Sequence, residues 1–554
     1  MRVDSVIYWR GNMRSTMMQM PLSLNQLLEH AHALYSTREV VSRRPDKSLH
    51  RCTYGDVYRR VRQLAQALQG AGVARGEAVG TLMWNHWAHL EAYFGIPAAG
   101  AVLHTLNLRL SPEDLAYIIE DADDRLILID DVLLPIWDKV KPLLKKPPRV
   151  VVFAFSGAPL PAGCESYEDF IAADANAYRY PEQDENEAMG MCYTSGTTGR
   201  PKGVVYSHRS MVLHSIVSAL PDVVGASSRD NVLVITPMFH ANAWAMPFTA
   251  VMLGAKQVFP GPHMAGEDLL ELMETEAITL SLGVPTIWMM VLQVLQSGKR
   301  AWKLAPGMRM TVGGAAVPRA LIEAFDQYGL TIRQGWGMTE TSPLGSITSI
   351  KPNLVDAPAD RLYDIRARAG LQVPLVDLRI VDYEGKILPW DGESTGELQC
   401  RGHWVAGGYH KQPADPEKFT EDGWLRTGDV ATIDAEGYLR IADRTKDLIK
   451  SGGEWISSVE LENAIMGHPA VAEAAVIAVK HPKWDERPLA VVVKKPGREV
   501  TPQELRELLL PRFAKWQVPD DFTFIDALPR TSTGKFLKTK LRQDFKDWVS
   551  KTPA

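Results

Sequence analysis

The sequence predicts an α/β fold: a large N-terminal domain of packed α/β sheets with a β-rich part, followed by a small α+β C-terminal domain. Apolar runs of strand length alternate with amphipathic stretches of helix length through most of the 554 residues. This alternation is typical of largely parallel sheets covered by helices. After about Gly370 the pattern changes to short strands separated by Gly, Asp and Glu turn signals, as in a small β-rich subdomain. The length is sufficient for roughly three to four domain-sized units with large cores.

The predicted elements of the parallel part follow one another in chain order. Helices are expected at 56–68 and 269–276, and strands at 126–129, 150–153, 232–235 and 310–312. Residues 280–296 form the most apolar long stretch, but Pro285 interrupts it. Because this stretch is too short to span a bilayer comfortably, it predicts a buried strand, a turn and a helix.

Two changes of sequence pattern divide the chain. Beyond Gly370, short strands are expected at 378–381, 396–399 and 438–441. A second boundary falls near Asp443, at a charged run. We therefore expect an N-terminal domain over 1–442, with 370–442 as its β-rich part, and a C-terminal domain over 443–554.

Composition and charge exclude several classes of protein. Hydrophobic residues make up 45% and charged residues 23%, the mix of a soluble globular protein. The net charge of −5 gives no sign of a nucleic-acid binder. The four cysteines are far apart and form no C-x-x-C pair, which argues against a disulfide scaffold and favours a reducing compartment. The first thirty residues lack the apolar core of a signal peptide, so we expect a cytoplasmic protein.

Residues 193–203, which read YTSGTTGRPKG, form the most informative motif. Its glycines let the backbone turn tightly, so that successive N–H groups can point into one concavity. Hydroxyl side chains and the Lys202 ammonium add further donors. Such a loop suits the triphosphate of a nucleotide, although it lacks the spacing of a Walker A loop.

Four further motifs follow along the chain: residues 334–341 (QGWGMTET), 424–429 (WLRTGD), 443–453 (DRTKDLIKSGG) and 529–535 (PRTSTGK). Together with the loop at 193–203 they resemble the motifs of the adenylate-forming superfamily of acyl-CoA synthetases, luciferases and adenylation domains. The resemblance covers nearly the whole chain. Within that superfamily, residues 238–244 (MFHANAW) and 450–458 (KSGGEWISS) resemble those of medium- and long-chain fatty acyl-CoA synthetases.

The resemblance implies ATP-dependent activation of a carboxylic acid, expected to be a medium- to long-chain fatty acid, with Mg²⁺ as cofactor. The first step gives an acyl-adenylate and pyrophosphate. The mobile C-terminal domain then rotates, and the thiol of CoA displaces AMP to give acyl-CoA. The expected partners are therefore the acid, ATP and CoA, with no nucleic acid and no integral membrane segment. Similar fatty acyl enzymes are homodimers, so a homodimer is one expectation.

The sequence leaves other substrates and reactions open. A CoA ligase for an aryl, branched or short sulfur-containing acid would share these motifs, as would a β-lactone-forming synthetase or a luciferase-like oxidase. An amino-acid-activating module would normally continue into a carrier domain, whereas this chain stops 19 residues after Lys535. A nucleotide-binding regulatory protein without catalysis is the alternative from another class. Four intact residues argue against it: Lys202, Glu340, Asp429 and Lys535.

The predicted catalytic and metal-binding residues come from four motifs. A carboxylate near a triphosphate is repulsive unless a cation lies between them, so Glu340 suits a Mg²⁺ ligand. The resemblance assigns Glu340 that role, with Thr194 also near the metal and Thr339 beside it in the catalytic set. Lys535 would relieve the negative charge that gathers as a carboxylate attacks the α-phosphate. His240 would orient the carboxylate of the acid.

The resemblance places the nucleotide among residues of several motifs. Trp336 offers a flat apolar face to adenine, and Asp429 can accept from both ribose hydroxyls. Lys446 is expected to be the hinge of the C-terminal domain. The predicted nucleotide-binding set is Thr194, Ser195, Gly196, Thr197, Thr198, Gly199, Lys202, Gly314, Ala315, Gln334, Gly335, Trp336, Thr339, Asp429, Arg444, Lys446 and Lys450.

The acyl group and CoA are expected to contact a smaller set. Trp244 would gate an apolar tunnel for the acid, as in similar fatty acyl enzymes. Gly452 and Gly453 would line the approach of the thiol, with Trp455 close to them. His208, which follows the phosphate loop, is expected to be structural.

Overall fold

The computed structural model describes residues 15–194, 200–413, 415–451, 454–530 and 536–548, and these residues form four β-sheets with helices on their faces. One large sheet has seven strands. In spatial order they are Glu165–Ser166, Arg149–Phe153, Leu126–Asp130, Ala78–Leu82, Val102–Thr105, Ala188–Tyr193 and Gly203–Ser207. All neighbours are parallel except the last two, which form an antiparallel pair. Its central strands are buried, as expected for a parallel sheet covered on both faces.

The second large sheet has nine strands. In spatial order they are Leu371–Gln372, Leu344–Ile347, Thr331–Gly337, Arg309–Val312, Leu280–Gly283, Asn231–Leu233, Lys256–Phe259, Glu39–Arg43 and Leu49–Thr53. The inner strands pair in parallel, and antiparallel strands close the sheet at both edges.

Helices cover and separate these two sheets. The α-helices of this part are Leu24–Tyr35, Tyr54–Gly70, Trp87–Ala98, Pro112–Ala122, Leu134–Val140, Tyr167–Phe170, His208–Ser218, Met246–Leu253, Gly266–Thr275, Pro285–Gln296, Arg319–Asp326 and Ala359–Arg366. One further helical turn, Ala241–Trp244, has positive φ angles. Short 3₁₀ turns lie at Asp131–Leu133, Lys141–Leu143, Thr339–Thr341 and Pro352–Leu354. Every residue of Trp87–Ala98 is buried, and this helix contacts strands of both large sheets. A helix that is buried on all sides and mostly apolar belongs in such a position, within the core.

Two smaller sheets complete the chain. The third sheet is antiparallel and consists of Val376–Val381, Gly396–Gly402, Leu425–Ile433 and Leu439–Arg444. The fourth sheet contains Glu454–Ile456, Ile449–Ser451, Asp485–Lys494 and Val471–His481, and Asp521–Phe524 pairs with its long central strand. Three helices accompany the fourth sheet: Ser458–Met466, Pro502–Leu509 and Lys538–Asp544.

The predicted fold class is confirmed, and most predicted elements lie inside observed ones. The apolar stretch 280–296 is a strand, Leu280–Gly283, followed by the helix Pro285–Gln296. The strand expected at 232–235 is shorter and ends at Leu233. The domain boundary near Asp443 stays a prediction. None of the helices within the described ranges is long and apolar enough to cross a membrane.

Candidate active site

A cavity of about 920 Å³ opens where strands of both large sheets end. Thr194 follows the strand Ala188–Tyr193, and Gly313 follows the strand Arg309–Val312. The carboxyl ends of parallel strands are the usual ligand sites of α/β proteins. The wall combines two chemical classes of side chain: charged groups from Arg200, Lys202, Glu340, Asp415 and Lys418, and apolar groups from Val224, Trp244, Leu282 and Leu344.

The two ends of the phosphate loop are held together by backbone contacts. The Thr194 N–H donates to the Lys202 carbonyl at 2.9 Å, and the Lys202 N–H donates to the Thr194 hydroxyl oxygen at 3.1 Å. These bonds extend the antiparallel pair formed by Ala188–Tyr193 and Gly203–Ser207. The predicted loop residues between them, Ser195, Gly196, Thr197, Thr198 and Gly199, lie outside the described residues.

Tyr409 connects the phosphate loop to the predicted metal ligand, and the sequence analysis did not identify it. Its hydroxyl donates to Glu340 Oε1 at 2.7 Å, and its ring centroid lies 4.8 Å from the Lys202 ammonium. Burial, and next the Glu340 carboxylate, raise the pKa of Tyr409 above its usual range, so the phenol stays a donor. Asp415 Oδ2 lies 3.5 Å from the same ammonium.

Glu340 lies in the 3₁₀ turn Thr339–Thr341 and is fixed from several directions. Its carbonyl accepts from the Ala406 N–H at 2.7 Å, and the carbonyl of Thr339 accepts from the Tyr206 hydroxyl at 2.9 Å. Glu340 and Thr194 both line the cavity. Within the described ranges no group of three or more His, Cys, Asp or Glu could hold a metal. A Mg²⁺ ion that takes most of its ligands from phosphates and water fits this sparse oxygen donor set.

Trp336 and Asp429 are in direct contact. The indole N–H of Trp336 donates to Asp429 Oδ2 at 2.7 Å, and Arg444 Nε lies 3.3 Å from Asp429 Oδ1. Trp336 also packs so closely on Gly345 that a Cβ atom there would lie 2.4 Å from the ring. The tryptophan is therefore both a core residue and the group that orients the carboxylate predicted to bind ribose.

A second cavity, of about 1020 Å³, adjoins the first and contains most of the remaining predicted nucleotide residues. Gln334 is buried, and its Oε1 accepts from the Val317 N–H at 3.2 Å, which fixes the loop that follows Gly313. The predicted residues on this wall are Gly314, Ala315, Gln334, Gly335, Trp336, Asp429, Arg444 and Lys446. Phe536 and Lys538, which follow the last motif, lie on the same wall.

Of the remaining predicted residues, two lie apart from both cavities, Lys446 lines both, and three lie outside the described residues. Lys450 and Trp455 line neither cavity; Trp455 is 55% exposed, with the Lys450 ammonium 6.0 Å from its ring centroid. Lys446 lines both cavities, and burial lowers its pKa. Gly452, Gly453 and Lys535 lie outside the described residues.

His240 and Trp244 line the first cavity at the two ends of an unusual turn. Residues 241–245 are all non-glycine, and their φ angles lie between 42° and 59°. This left-handed conformation costs about 1–2 kcal/mol per residue, so the surroundings must hold it in place. Asn242 is buried inside the turn, where its Oδ1 accepts from the Cys192 thiol at 3.2 Å.

Comparisons with known proteins agree with this architecture. Residues 28–410 match the family described as AMP-binding enzyme, and residues 460–535 match the AMP-binding enzyme C-terminal domain. The chain is similar to the solved structure of the anthranilate CoA ligase AuaEII in complex with anthranoyl-AMP. That similarity has a TM-score of 0.84 at 26% identity and covers 95% of this chain and 98% of the other.

Three relatives of established name are similar over nearly their whole length. The long-chain-fatty-acid–CoA ligase of Thermus thermophilus is 48% identical, over 96% of this chain and 97% of the relative. The medium-chain-fatty-acid–CoA ligase of Ectopseudomonas oleovorans is 44% identical, over 97% and 98%. The 3-methylmercaptopropionyl-CoA ligase of Ruegeria lacuscaerulensis is also 44% identical, over 97% and 99%.

Proposed function

The chain belongs to the family of AMP-binding enzymes, and from this membership we propose that it is an acid:CoA ligase that acts on medium- to long-chain fatty acids. It activates a carboxylic acid with ATP and transfers the acyl group to CoA, giving acyl-CoA, AMP and pyrophosphate. One observation carries the proposal. A single cavity combines cationic and carboxylate side chains, which suit a magnesium triphosphate, with apolar side chains, which suit an acyl chain.

In the first half-reaction, a carboxylate oxygen of the acid attacks the α-phosphorus of ATP, and the bond from that phosphorus to pyrophosphate breaks. Lys202 and the backbone near Thr194 bind the triphosphate, while His240 orients the acid. Bound Mg²⁺, held by Glu340 and Thr194, would neutralise part of the phosphate charge. Lys535 would stabilise the charge that develops between the carboxylate and the α-phosphate.

The nucleoside half of ATP is assigned to the second cavity. Asp429, oriented by Trp336 and Arg444, would accept hydrogen bonds from the ribose hydroxyls. Gly314 and Ala315 would let the backbone approach the base. Gln334 supports this loop through its bond to the Val317 N–H.

In the second half-reaction, the CoA sulfur attacks the acyl carbonyl carbon, the bond to the AMP oxygen breaks, and the thiol proton passes to solvent. Rotation about Lys446 would withdraw Lys535 and bring in Gly452 and Gly453 with Lys450 and Trp455. Because Lys450 and Trp455 line neither cavity, we assign the described structure to the orientation of the first half-reaction. Mixed anhydride formation replaces one difficult acylation by two easier steps.

The preferred chain length of the acid is the most specific part of the proposal. A short sulfur-containing acid is the second candidate, because the 3-methylmercaptopropionyl-CoA ligase is as similar to this chain as the medium-chain ligase is. Trp244, Val224 and Leu344 on the apolar wall would set the preference. A cytoplasmic location and a homodimer are further parts of the proposal, to be tested by fractionation and by sedimentation.

Pyrophosphate release with a panel of acids tests the function. The panel runs from acetate to stearate and adds benzoate, cinnamate and 3-(methylthio)propanoate, each with and without CoA. We expect the highest kcat/KM for a straight-chain acid of medium or long chain, with formation of acyl-CoA. A maximum at 3-(methylthio)propanoate would favour the second candidate. Pyrophosphate release without any thioester product would contradict CoA ligation.

A further inference from the structure

Four buried polar and charged side chains beside the predicted hinge take no part in the chemistry above. Asp443, Ser458, Glu462 and Lys538, here called the hinge cluster, are all at least nine-tenths buried. Burial raises the pKa of Glu462 to about 7 and raises that of Asp443. Placing charges there costs free energy, which only well-formed hydrogen bonds and ion pairs offset.

The contacts within the hinge cluster are close and connected. The backbone N–H and the hydroxyl of Ser458 both donate to Asp443 Oδ2, each at 2.6 Å. The Lys538 ammonium donates to the Ser458 hydroxyl oxygen at 2.6 Å and lies 2.6 Å from Glu462 Oε1. The Ser458 hydroxyl therefore donates once and accepts once, so its hydrogen-bonding capacity is well used.

The cluster joins two parts of the chain that lie on opposite sides of Lys446. Asp443 belongs to Leu439–Arg444, the edge strand of the antiparallel four-stranded sheet. Ser458 is the first residue of the helix Ser458–Met466, which packs on the fourth sheet. A rotation about Lys446 moves Ser458 relative to Asp443, so it must break both hydrogen bonds between them.

The residues that directly follow the last motif lie at the nucleotide cavity. Phe536 and Lys538 share a cavity wall with Gly314 and Ala315. Lys538 is the first residue of the helix Lys538–Asp544, and the Leu537 N–H just before it donates to the Pro529 carbonyl at 2.8 Å. The hinge cluster thus anchors this segment in the orientation assigned above to the first half-reaction.

We propose that Asp443, Ser458 and Lys538 are positioning residues that hold the C-terminal part in the adenylate-forming orientation and must separate before the thioester-forming step. This inference rests on the proposed two-step function. Removing the Ser458 hydroxyl takes one hydrogen bond from the buried Asp443 carboxylate and one from the Lys538 ammonium, which weakens this orientation relative to the other. The cluster therefore favours the first half-reaction at the expense of the second.

The test measures both half-reactions separately in Ser458→Ala. Pyrophosphate release reports adenylate formation, and synthetic acyl-adenylate with CoA reports thioester formation. We expect adenylate formation to fall about tenfold, as for the loss of a hydrogen bond to a charged group, while thioester formation is unchanged or faster. Equal losses in both steps would mean that the cluster only stabilises the fold. No change in either step would mean that it positions nothing.

Glu460→Gln is the matched control. Arg440 and Glu460 form an ion pair at 2.9 Å that also joins the strand Leu439–Arg444 to the helix Ser458–Met466, and solvent reaches both side chains, with 57% of Arg440 and 33% of Glu460 exposed. Exposed pairs of this kind contribute little, so both half-reactions should stay within about twofold of the wild type. Asp443→Asn is the second test variant. As with Ser458→Ala, we expect adenylate formation to slow while thioester formation is unchanged or faster.

A measurement without substrate separates this inference from the proposed function. Spin labels at the exposed positions Val355 and Leu510 report the distance between the two parts. We expect one narrow distance distribution in the otherwise wild-type chain and a broader one with Ser458→Ala. Identical distributions would contradict the positioning role even if the enzyme is active. A wild type that forms no adenylate with any acid would instead contradict the proposed function.

Discussion

The phosphate side of the active site and the hinge side are held in place in different ways. On the phosphate side, Thr194 is bonded to Lys202, and Tyr409 contacts both Lys202 and Glu340. None of these contacts crosses Lys446. On the hinge side, the bonds from Ser458 to Asp443 do cross it. With the proposed rotation about Lys446, the phosphate side would keep its geometry in both half-reactions, whereas the hinge side would not.

This difference predicts which substitutions separate the two half-reactions. Changes on the phosphate side should weaken binding of ATP and Mg²⁺ without altering the domain orientation. Changes on the hinge side or in the C-terminal part should affect one half-reaction and spare the other. The variants below are ordered by the size of the expected effect.

Lys535→Ala should have the largest effect and confine it to the first step. In the proposed mechanism the ammonium interacts with charge that develops in the transition state, so its loss should slow adenylate formation by roughly 10²–10³. Thioester formation from synthetic acyl-adenylate should be preserved, and ATP binding should weaken less than the rate falls. Lys540→Ala, at an exposed lysine paired with Asp544, is the control and should leave both steps intact. An equal loss in both steps would contradict a role of Lys535 that is confined to adenylate formation.

Lys446→Pro should show the opposite asymmetry. Proline fixes φ near −65° and removes a donor, so it should block a hinge whose backbone must change conformation between the two steps. We expect adenylate formation to survive and thioester formation to fall about a hundredfold, comparable to the loss of positioning of reacting groups. Lys446→Ala keeps the backbone free and should spare the second step. If the alanine variant fails as badly as the proline variant, the side chain rather than the hinge is what matters.

Tyr409→Phe tests the phosphate side with an intermediate effect. The variant keeps the ring near Lys202 but loses the hydrogen bond to Glu340, which should slow adenylate formation about tenfold at limiting Mg²⁺. Raising the Mg²⁺ concentration should restore part of the rate, and the stabilisation of the folded protein by Mg·ATP should be reduced in thermal unfolding. Tyr383→Phe, at a tyrosine that is 96% exposed, is the control. Unchanged Mg²⁺ dependence would show that Tyr409 does not position Glu340.

Trp244→Ala should have the smallest effect on the chemistry and the most selective one. The side chain lies on the apolar wall of the cavity and on a left-handed turn, so its loss should change KM for the acid by several-fold or shift the preferred chain length. Affinity for ATP should stay close to that of the wild type. Trp390→Ala, at a tryptophan that is 41% exposed and lines neither cavity, provides the control. An unchanged chain-length profile with unchanged KM would remove Trp244 from the acid site.

The sequence predicted the fold class because buried parallel strands leave a strong local pattern. The stretch 280–296 shows this, since Pro285 marks the start of the helix that follows the strand. The motifs assigned Glu340 and Lys202, which are far apart in the chain, to one site, and the structure has both side chains lining one cavity. The assignment of roles to these residues stays a prediction.

Contacts between distant segments were not predictable in this way. Tyr409 is 69 residues from Glu340, and Lys538 is 80 residues from Ser458. Contacts between such distant residues leave no periodic pattern in the sequence. A single tyrosine or lysine in a charged segment does not by itself indicate a buried contact, because lysine is mostly exposed and tyrosine is intermediate. The left-handed turn at 241–245 was also missed, because its residues are ones that normally avoid positive φ. Tertiary packing, not local preference, determines all three.

The fate of the carboxylate oxygen tests the central claim most directly. The acid is labelled with ¹⁸O in both carboxyl oxygens and incubated with ATP, Mg²⁺ and CoA. Mass spectrometry then measures the masses of AMP, pyrophosphate and acyl-CoA. If the carboxylate attacks the α-phosphorus, one ¹⁸O atom must appear in AMP and one must stay in the acyl-CoA. Label found in pyrophosphate, or absent from AMP while acyl-CoA forms, would contradict an acyl-adenylate intermediate.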